Sequence, residues 1–171
     1  MVREFGENSH YGGILALHSL IMVLCLIHFT ILIYYFSLYS LLIMGGFITA
    51  VSPLILAVSG STPSILMFAV LISIGEAIFA PRLIDYSIAI APEGREGSFL
   101  AVASCPFALG SIYAGVSSGF LLEEYCPEDG NDNCWVMWLF IGLTTLIAPL
   151  LMVVFRNVLE EPELKDKSIY Q

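Results

Sequence analysis

The sequence predicts an all-α integral membrane protein with five transmembrane helices. Hydrophobic residues make up 58% of the 171-residue chain and charged residues only 12%. A soluble domain is about half apolar and about a quarter charged. The apolar residues gather in runs of about 20 or more, the length that crosses a hydrocarbon core about 30 Å thick. Each run must be helical, because lipid offers no partner to an open backbone N–H or C=O group.

The five predicted spans are separated by short polar connections. They cover residues 13–36, 40–59, 64–91, 98–122 and 135–155. Residues 1–12 precede them as an N-terminal segment. Residues 13–156 form the transmembrane domain, and residues 157–171 form a polar tail. The longest connection, at 122–134, joins the last two spans.

Basic residues near the span ends predict the orientation of the chain. Arg95, Arg156, Lys165 and Lys167 lie on the side of the C-terminus, whereas only Arg3 lies on the other side. Because Lys and Arg favour the cytoplasmic side, we expect a cytoplasmic C-terminus and an exterior N-terminal segment. An odd number of spans with an exterior start leads us to expect that the chain is a fragment or a truncated gene model.

The long connection carries two cysteines on the side predicted to be exterior. Cys126 and Cys134 lie eight residues apart, and an oxidising environment favours a disulfide between them. Pro127 and Gly130 allow the tight turn that such a bridge requires. The alternative is a pair of free thiols.

The third span is apolar yet carries Glu76, Arg82 and Asp85, which we group as candidate substrate- or proton-binding residues. A carboxylate at the bilayer centre is costly unless it is paired, protonated or in contact with water. Glu76 has no cation one turn away on its own helix, so we expect it to line a polar cavity. There it would bind a substrate amine or carry a proton. Arg82 and Asp85 stand at i and i+3 and can pair, so a structural salt bridge is the alternative for them.

Prolines and a glycine within the spans are candidate gating or hinge positions. Pro81 removes a helical hydrogen bond and predicts a kink just after Glu76. Pro106 and Gly110 would give the fourth span a hinge, since interrupted helices are common in transporters.

Small residues follow on the same span. Ser111, Gly115 and Gly119 form a face that predicts close packing against another helix.

Other kinds of chemistry have little support in the sequence. His18 and His28 lie on the first span; His28 would be either part of a proton relay or a hydrogen-bond partner of a neighbouring helix. No nucleophile–base arrangement, phosphate-binding loop or metal-ligand cluster is present, so we expect no enzyme, cofactor or metal site. Only six Lys and Arg residues occur, without a basic patch, which argues against nucleic-acid binding.

The stretch GEAIFAPRLIDYSIAIAPEGREGSFLAVASCPFALGSIYAGVSSGFLLEEY, residues 75–125, resembles helices ten and eleven of the major facilitator superfamily. It is most similar to the proton-coupled oligopeptide transporters, whose pattern is matched by Gly75-Glu76, Pro81 and Ala91-Pro92. This resemblance implies that the five spans correspond to helices eight to twelve. It also implies that the matching glutamate, Glu76, lines a central cavity and helps to recognise the substrate.

Two features depart from the pattern of the oligopeptide transporters. Arg82 and Asp85 do not belong to it, and the turn at 37–39 lacks the basic motif that many facilitators carry between helices eight and nine.

Together these features predict transport of a small solute by alternating access, with proton coupling. The alternative is a non-transporting membrane scaffold or a truncated remnant. The expected partners are the lipid bilayer, a small-molecule substrate, and either a missing N-terminal half or further copies of this chain.

Overall fold

The computed structural model describes residues 11–29, 36–127 and 133–159. Within these ranges the chain is helical and contains no strand. Five long helices are each long and apolar enough to cross a membrane, which confirms the predicted fold class. In chain order the helices are α1 (Tyr11–Phe29), α2 (Leu38–Val58), α3 (Thr62–Ala89), α4 (Glu96–Tyr125), α5 (Cys134–Val154) and the short α6 (Arg156–Leu159).

The helix bounds differ in places from the predicted spans. Helix α4 is longer at both ends than the predicted span at 98–122. The last residues of the first predicted span, 30–35, lie outside the described residues. Most of the N-terminal segment and of the C-terminal tail also lie outside them.

Local sequence explains where α2 begins and how the chain turns between α3 and α4. Ser37 caps α2, because its hydroxyl oxygen accepts a hydrogen bond from the Ser40 backbone N–H at 3.2 Å. A tight turn separates α3 from α4, in which the Arg95 N–H donates to the Pro92 carbonyl at 3.0 Å. Gly94 occupies the left-handed region in this turn, with φ of 79°, where a side chain would be strained.

Helix α2 is the centre of the bundle. It packs along α3 on one side and along α5 on the other, and α1 packs against α3. The fully buried leucines Leu41, Leu42 and Leu56 all belong to α2. Helix α4 lies at the periphery with fewer contacts to α3 and α5, and Leu121 is its one buried side chain among the described residues.

Two glycines bring the backbones of α2 and α3 into direct contact. A Cβ atom added to Gly45 would lie 2.8 Å from the Phe79 backbone nitrogen. One added to Gly75 would lie 2.7 Å from the Thr49 nitrogen and 3.1 Å from the Gly45 carbonyl oxygen. Neither site has room for a methyl group, so close helix packing in this bundle depends on these glycines.

The predicted packing face of α4 has no partner helix among the described residues. A Cβ atom on Gly115 or Gly119 would meet no atom within 4 Å, and Ser111 is exposed. Toward the grooves beside α3 and α5, α4 presents mainly larger residues, such as Leu100, Phe107 and Leu121. The exposed face is also longer than predicted, because small residues recur at alternating steps of four and three along it. These are Gly97, Ala101, Ser104, Ala108, Ser111, Gly115 and Ser118.

A disulfide joins Cys126 to Cys134, with the two Cα atoms 4.8 Å apart. Cys126 directly follows α4 and Cys134 begins α5. The bridge therefore ties the end of the peripheral helix α4 to a helix that packs on α2.

Replacing Gly75 by alanine should destabilise the bundle. The added methyl group would press on the backbone of α2, which cannot yield as a flexible side chain does, so we expect a loss of about 1–3 kcal/mol. The matched control is Gly110→Ala in α4, where a Cβ meets nothing within 4 Å. The control should be neutral or slightly stabilising, since alanine favours a helix. Thermal unfolding in detergent micelles measures both variants, and equal melting temperatures would show that the α2–α3 contact is not tight.

Candidate functional site

The glycine contact fixes which way the middle of α3 faces. Gly75 presses on α2, and each residue along a helix turns by about 100°. Glu76 therefore lies about 100° around α3 from Gly75, and Ser73 lies about 160° around in the same direction. Both side chains point away from α2, to a flank of α3 that α1 covers in part.

A histidine from α1 meets both of these side chains. The Nε2 atom of His18 lies 3.3 Å from the Glu76 Oε2 atom, and its Nδ1 atom lies 2.8 Å from the Ser73 hydroxyl oxygen. The His18 side chain is 24% exposed and the Glu76 side chain 39% exposed. Glu76 thus has a polar partner, supplied by another helix, and keeps a large open surface.

Ser73 is fully buried at the inner end of this cluster. Its hydroxyl donates to the Ala69 carbonyl oxygen of the preceding turn at 2.5 Å. Serine, histidine and glutamate are also the residue types of a hydrolase triad. Here the serine has no access to a substrate and its proton points to the backbone, so the arrangement does not make Ser73 a nucleophile.

The other two charged residues of α3 form a separate pair. Arg82 Nη1 lies 2.9 Å from Asp85 Oδ2, with side-chain exposures of 12% and 47%. Asp85 lies about 180° around α3 from Glu76 at 100° per residue. Arg82 instead lines a small cleft among α1, α2 and α3, to which Leu26 and Leu41 also contribute. The structure therefore does not bring the three predicted binding residues together.

An open groove runs between α3 and α4 beside the site. Its volume is about 310 Å³, within the range of small-molecule pockets. The α3 residues Ala80, Leu83 and Ser87 line it, and Glu76 lies within about 60° of them on the same helix face. Glu76 lies one turn before Ala80 in α3. The groove thus follows α3 from Ala80, one turn from Glu76, toward the turn before α4.

The remaining predicted positions have local roles. His28 donates from Nδ1 to the Leu24 carbonyl oxygen at 2.8 Å, so it bonds to its own helix and not to a neighbouring one. Helices α3 and α4 continue through Pro81 and Pro106. A Cβ atom added to Gly110 would meet no atom within 4 Å. Among the described residues, no three His, Cys, Asp or Glu side chains stand close enough to hold a metal ion.

His18 is the site residue that sequence reasoning missed. Glu76 lacks a cation on its own helix, so its partner had to come from another span. Among the other described long helices, α2 and α5 carry no Asp, Glu, His, Lys or Arg and α4 carries only glutamates, which leaves α1 as the source of a cationic partner. That elimination pointed to the two histidines of α1, but only the packing of α1 on α3 selects His18.

The fold and the site define a multi-pass membrane protein with an ionisable pair held between its helices. The chain matches the family model described as Major Facilitator Superfamily over residues 1–169, and it belongs to that superfamily. The family supports a secondary transporter of small solutes and not an enzyme. No curated protein and no solved structure matches the chain.

Water access to position 76 can be measured directly with thiol chemistry. A Glu76→Cys variant, with Cys25 and Cys105 replaced by serine, should react with a membrane-impermeant, positively charged methanethiosulfonate. The control is Leu20→Cys, two residues from His18 and 58% exposed, about 200° around α1. Because the reacting species is the thiolate, a cysteine in lipid should react about tenfold or more slowly than one in water. Equal rates at both positions would show that no aqueous route reaches Glu76.

Proposed function

We propose that the chain carries a small solute across the membrane by alternating access, in symport with protons, and that Glu76 binds the solute or the proton. One observation carries this proposal above the others. Glu76 lies in the middle of an apolar span with 39% of its side chain open, although a carboxylate facing lipid would be costly. An aqueous cavity removes that cost. The amine of a solute and a proton are the two cations that such a carboxylate would attract.

The groove between α3 and α4 supports a route to Glu76. Its lining is apolar apart from Ser87 and Ser104, and both hydroxyls bond to carbonyls of their own helices. The groove therefore presents little that would hold a polar solute before it reaches the carboxylate. We propose that it is the approach from the side of the turn at 92–97, which we expect to be cytoplasmic.

We propose that a second helical bundle completes the site. Among the described residues, α1 has no buried side chain, α4 has only Leu121, and the small-residue face of α4 is exposed along its length. Small residues let the backbones of membrane helices approach closely. The second bundle would be either an N-terminal half of the transporter or another copy of this chain, rocking against this one around Glu76.

The pair of Arg82 and Asp85 belongs, in this proposal, to the gate at the cytoplasmic end. Arg82 lines the cleft among α1, α2 and α3 and forms an ion pair with Asp85, which also lies on α3. Opening of α1 from α3 would therefore disturb the surroundings of this ion pair. The alternative, which the sequence also allowed, is a structural salt bridge within α3 near the cytoplasmic boundary.

Solute transport can be tested with the protein in liposomes that contain a pH-sensitive dye. Solutes of several classes, including amines, peptides, sugars and carboxylates, are added outside while the membrane potential is clamped. Symport should acidify the lumen with at least one class. Glu76→Gln should abolish the acidification, because the amide keeps the shape of the side chain but cannot release or bind a proton in this range.

The matched control is Glu123→Gln, which removes an exposed carboxyl near the C-terminal end of α4 and should leave transport unchanged. Alkalinisation in place of acidification would mean antiport. Transport by Glu76→Gln at the rate of the original protein would refute the role of Glu76. Uptake of no solute would favour the scaffold alternative for the chain as it stands.

We also propose that the disulfide-linked loop between α4 and α5 faces the exterior. Oxidising conditions outside the cytoplasm favour the bridge between Cys126 and Cys134. In intact cells, an impermeant phosphine followed by an impermeant maleimide should label the protein at these cysteines. Without the reductant, labelling should be absent. Labelling that requires permeabilised cells would reverse the orientation.

A further inference from the structure

The hydrogen bonds around Ser73 determine which nitrogen of His18 carries a proton. Ser73 has a single hydroxyl hydrogen and two oxygen or nitrogen neighbours, the Ala69 carbonyl at 2.5 Å and His18 Nδ1 at 2.8 Å. A carbonyl oxygen cannot donate, so the hydrogen of the shorter contact must come from the serine. Ser73 then accepts from His18, and Nδ1 must bear a hydrogen.

The other ring nitrogen is left as the proton acceptor. When the ring is neutral and Nδ1 is protonated, Nε2 carries a lone pair. This lone pair faces the Glu76 oxygen at 3.3 Å. Two lone pairs at this distance repel each other, so a proton between them is needed for an attractive contact.

We propose that His18 Nε2 and Glu76 Oε2 form a site for one proton, with Ser73 as the positioning residue that keeps the acceptor nitrogen turned toward Glu76. One proton from water binds to the pair and resides on either Nε2 or Oε2. The pair then has no net charge. Release of the proton leaves a net charge of −1 on the pair and a repulsive contact between the two side chains.

The surroundings contain little that would alter this charge balance. Within the described helices, the other charged residues of α3 are Arg82 and Asp85, which neutralise each other. On α1, His28 bonds to the Leu24 carbonyl. Helices α2 and α5 carry no Asp, Glu, His, Lys or Arg, and the acidic residues of α4 lie at its ends. The state of the proton therefore sets the net charge in the middle of the bundle.

This inference rests on the proposed function, because it gives the proton site a role in the transport cycle. A neutral pair can be enclosed between apolar helices at little cost, whereas a pair with net charge −1 needs water or a cation beside it. The occluded state of alternating access would thus form with the proton bound, or with a cationic solute in its place. This requirement couples solute movement to proton movement, because the carrier cannot become occluded when neither a proton nor a cationic solute is bound.

Nitrogen NMR measures the proton positions without any solute. The full chain, labelled with [15N]histidine in detergent micelles, contains three histidines, and His10→Gln and His28→Gln assign their signals. Spectra are recorded from about pH 5 to about pH 9, the range in which histidine charge changes. In the original protein, we expect neutral His18 to carry its hydrogen on Nδ1 and not on Nε2 at every pH at which the neutral ring is observed. Neutral His18 protonated at Nε2 would overturn the proposal.

Variants separate positioning by Ser73 from a purely structural role. In Ser73→Ala, neutral His18 should change to the form protonated at Nε2, which then donates to Glu76. Ser73→Thr retains the hydroxyl and should keep Nδ1 protonated. An unchanged His18 spectrum in Ser73→Ala would refute the positioning role. If the alanine variant does not fold, the spectrum of the original protein still decides the tautomer.

The NMR result and the transport result can fail independently. If Glu76→Gln abolishes solute-driven acidification but neutral His18 is protonated at Nε2, the transport proposal is supported and the proposed proton site of His18 and Glu76 is refuted. If His18 has the expected tautomer but Glu76→Gln transports normally, the arrangement of Ser73, His18 and Glu76 is supported and its role in proton coupling is refuted. In Ser73→Ala, the pH dependence of transport should change shape, and a uniform loss of rate at every pH would contradict the proposal.

Discussion

The backbone contact between Gly45 and Gly75 is the constraint on which the site depends. It presses α3 against α2 with no room for a side chain, and so it fixes the rotation of α3 about its own axis. The direction of every α3 side chain follows from this rotation. Ser73 and Glu76 turn to the flank shared with α1, and Asp85 turns to the opposite side. A shift of α3 by one residue would move Glu76 by about 100° and separate it from His18.

The low polarity of the membrane explains why the polar side chains are arranged as they are. Most described Ser and Thr hydroxyls bond to a carbonyl of their own preceding turn, as Thr49, Ser87 and Ser104 do. Such bonds satisfy a hydroxyl but link no helices. Ser73 makes the same local bond and also accepts from His18, so it connects α1 to α3. The contacts of His18 are thus at once a polar link between helices and the candidate proton site.

Membership of the major facilitator superfamily agrees with a bundle that is closed on one side and open on the other. Helix α2 is packed between α3 and α5, whereas α1 and α4 expose most of their surface. The glycine contact keeps the central pair rigid, and the peripheral helix α4 is held by fewer contacts and by the disulfide at its end. In the proposed mechanism, the closely packed pair α2 and α3 would carry Glu76 while the open faces of α1 and α4 meet a second bundle.

The sequence by itself determined the class of the protein and the number of its apolar spans, and it marked Glu76 as a candidate site residue. Composition and segment length suffice for the first two, because the bilayer sets the length and polarity of each helix. The cost of a carboxylate in lipid suffices for the third. Helical spacing also paired Arg82 with Asp85 correctly, since that contact lies within a single turn.

Only the tertiary structure decided which helices touch and therefore which side chains meet. Gly45 and Gly75 form the close contact among the described helices, whereas the small residues of α4 meet no described helix, and spacing within one helix does not identify its partner. His18 and Glu76 are 58 residues apart in the chain, and their spacing holds no sign of the contact. Periodicity describes one helix at a time, and a site built between helices depends on how they are rotated and placed against each other.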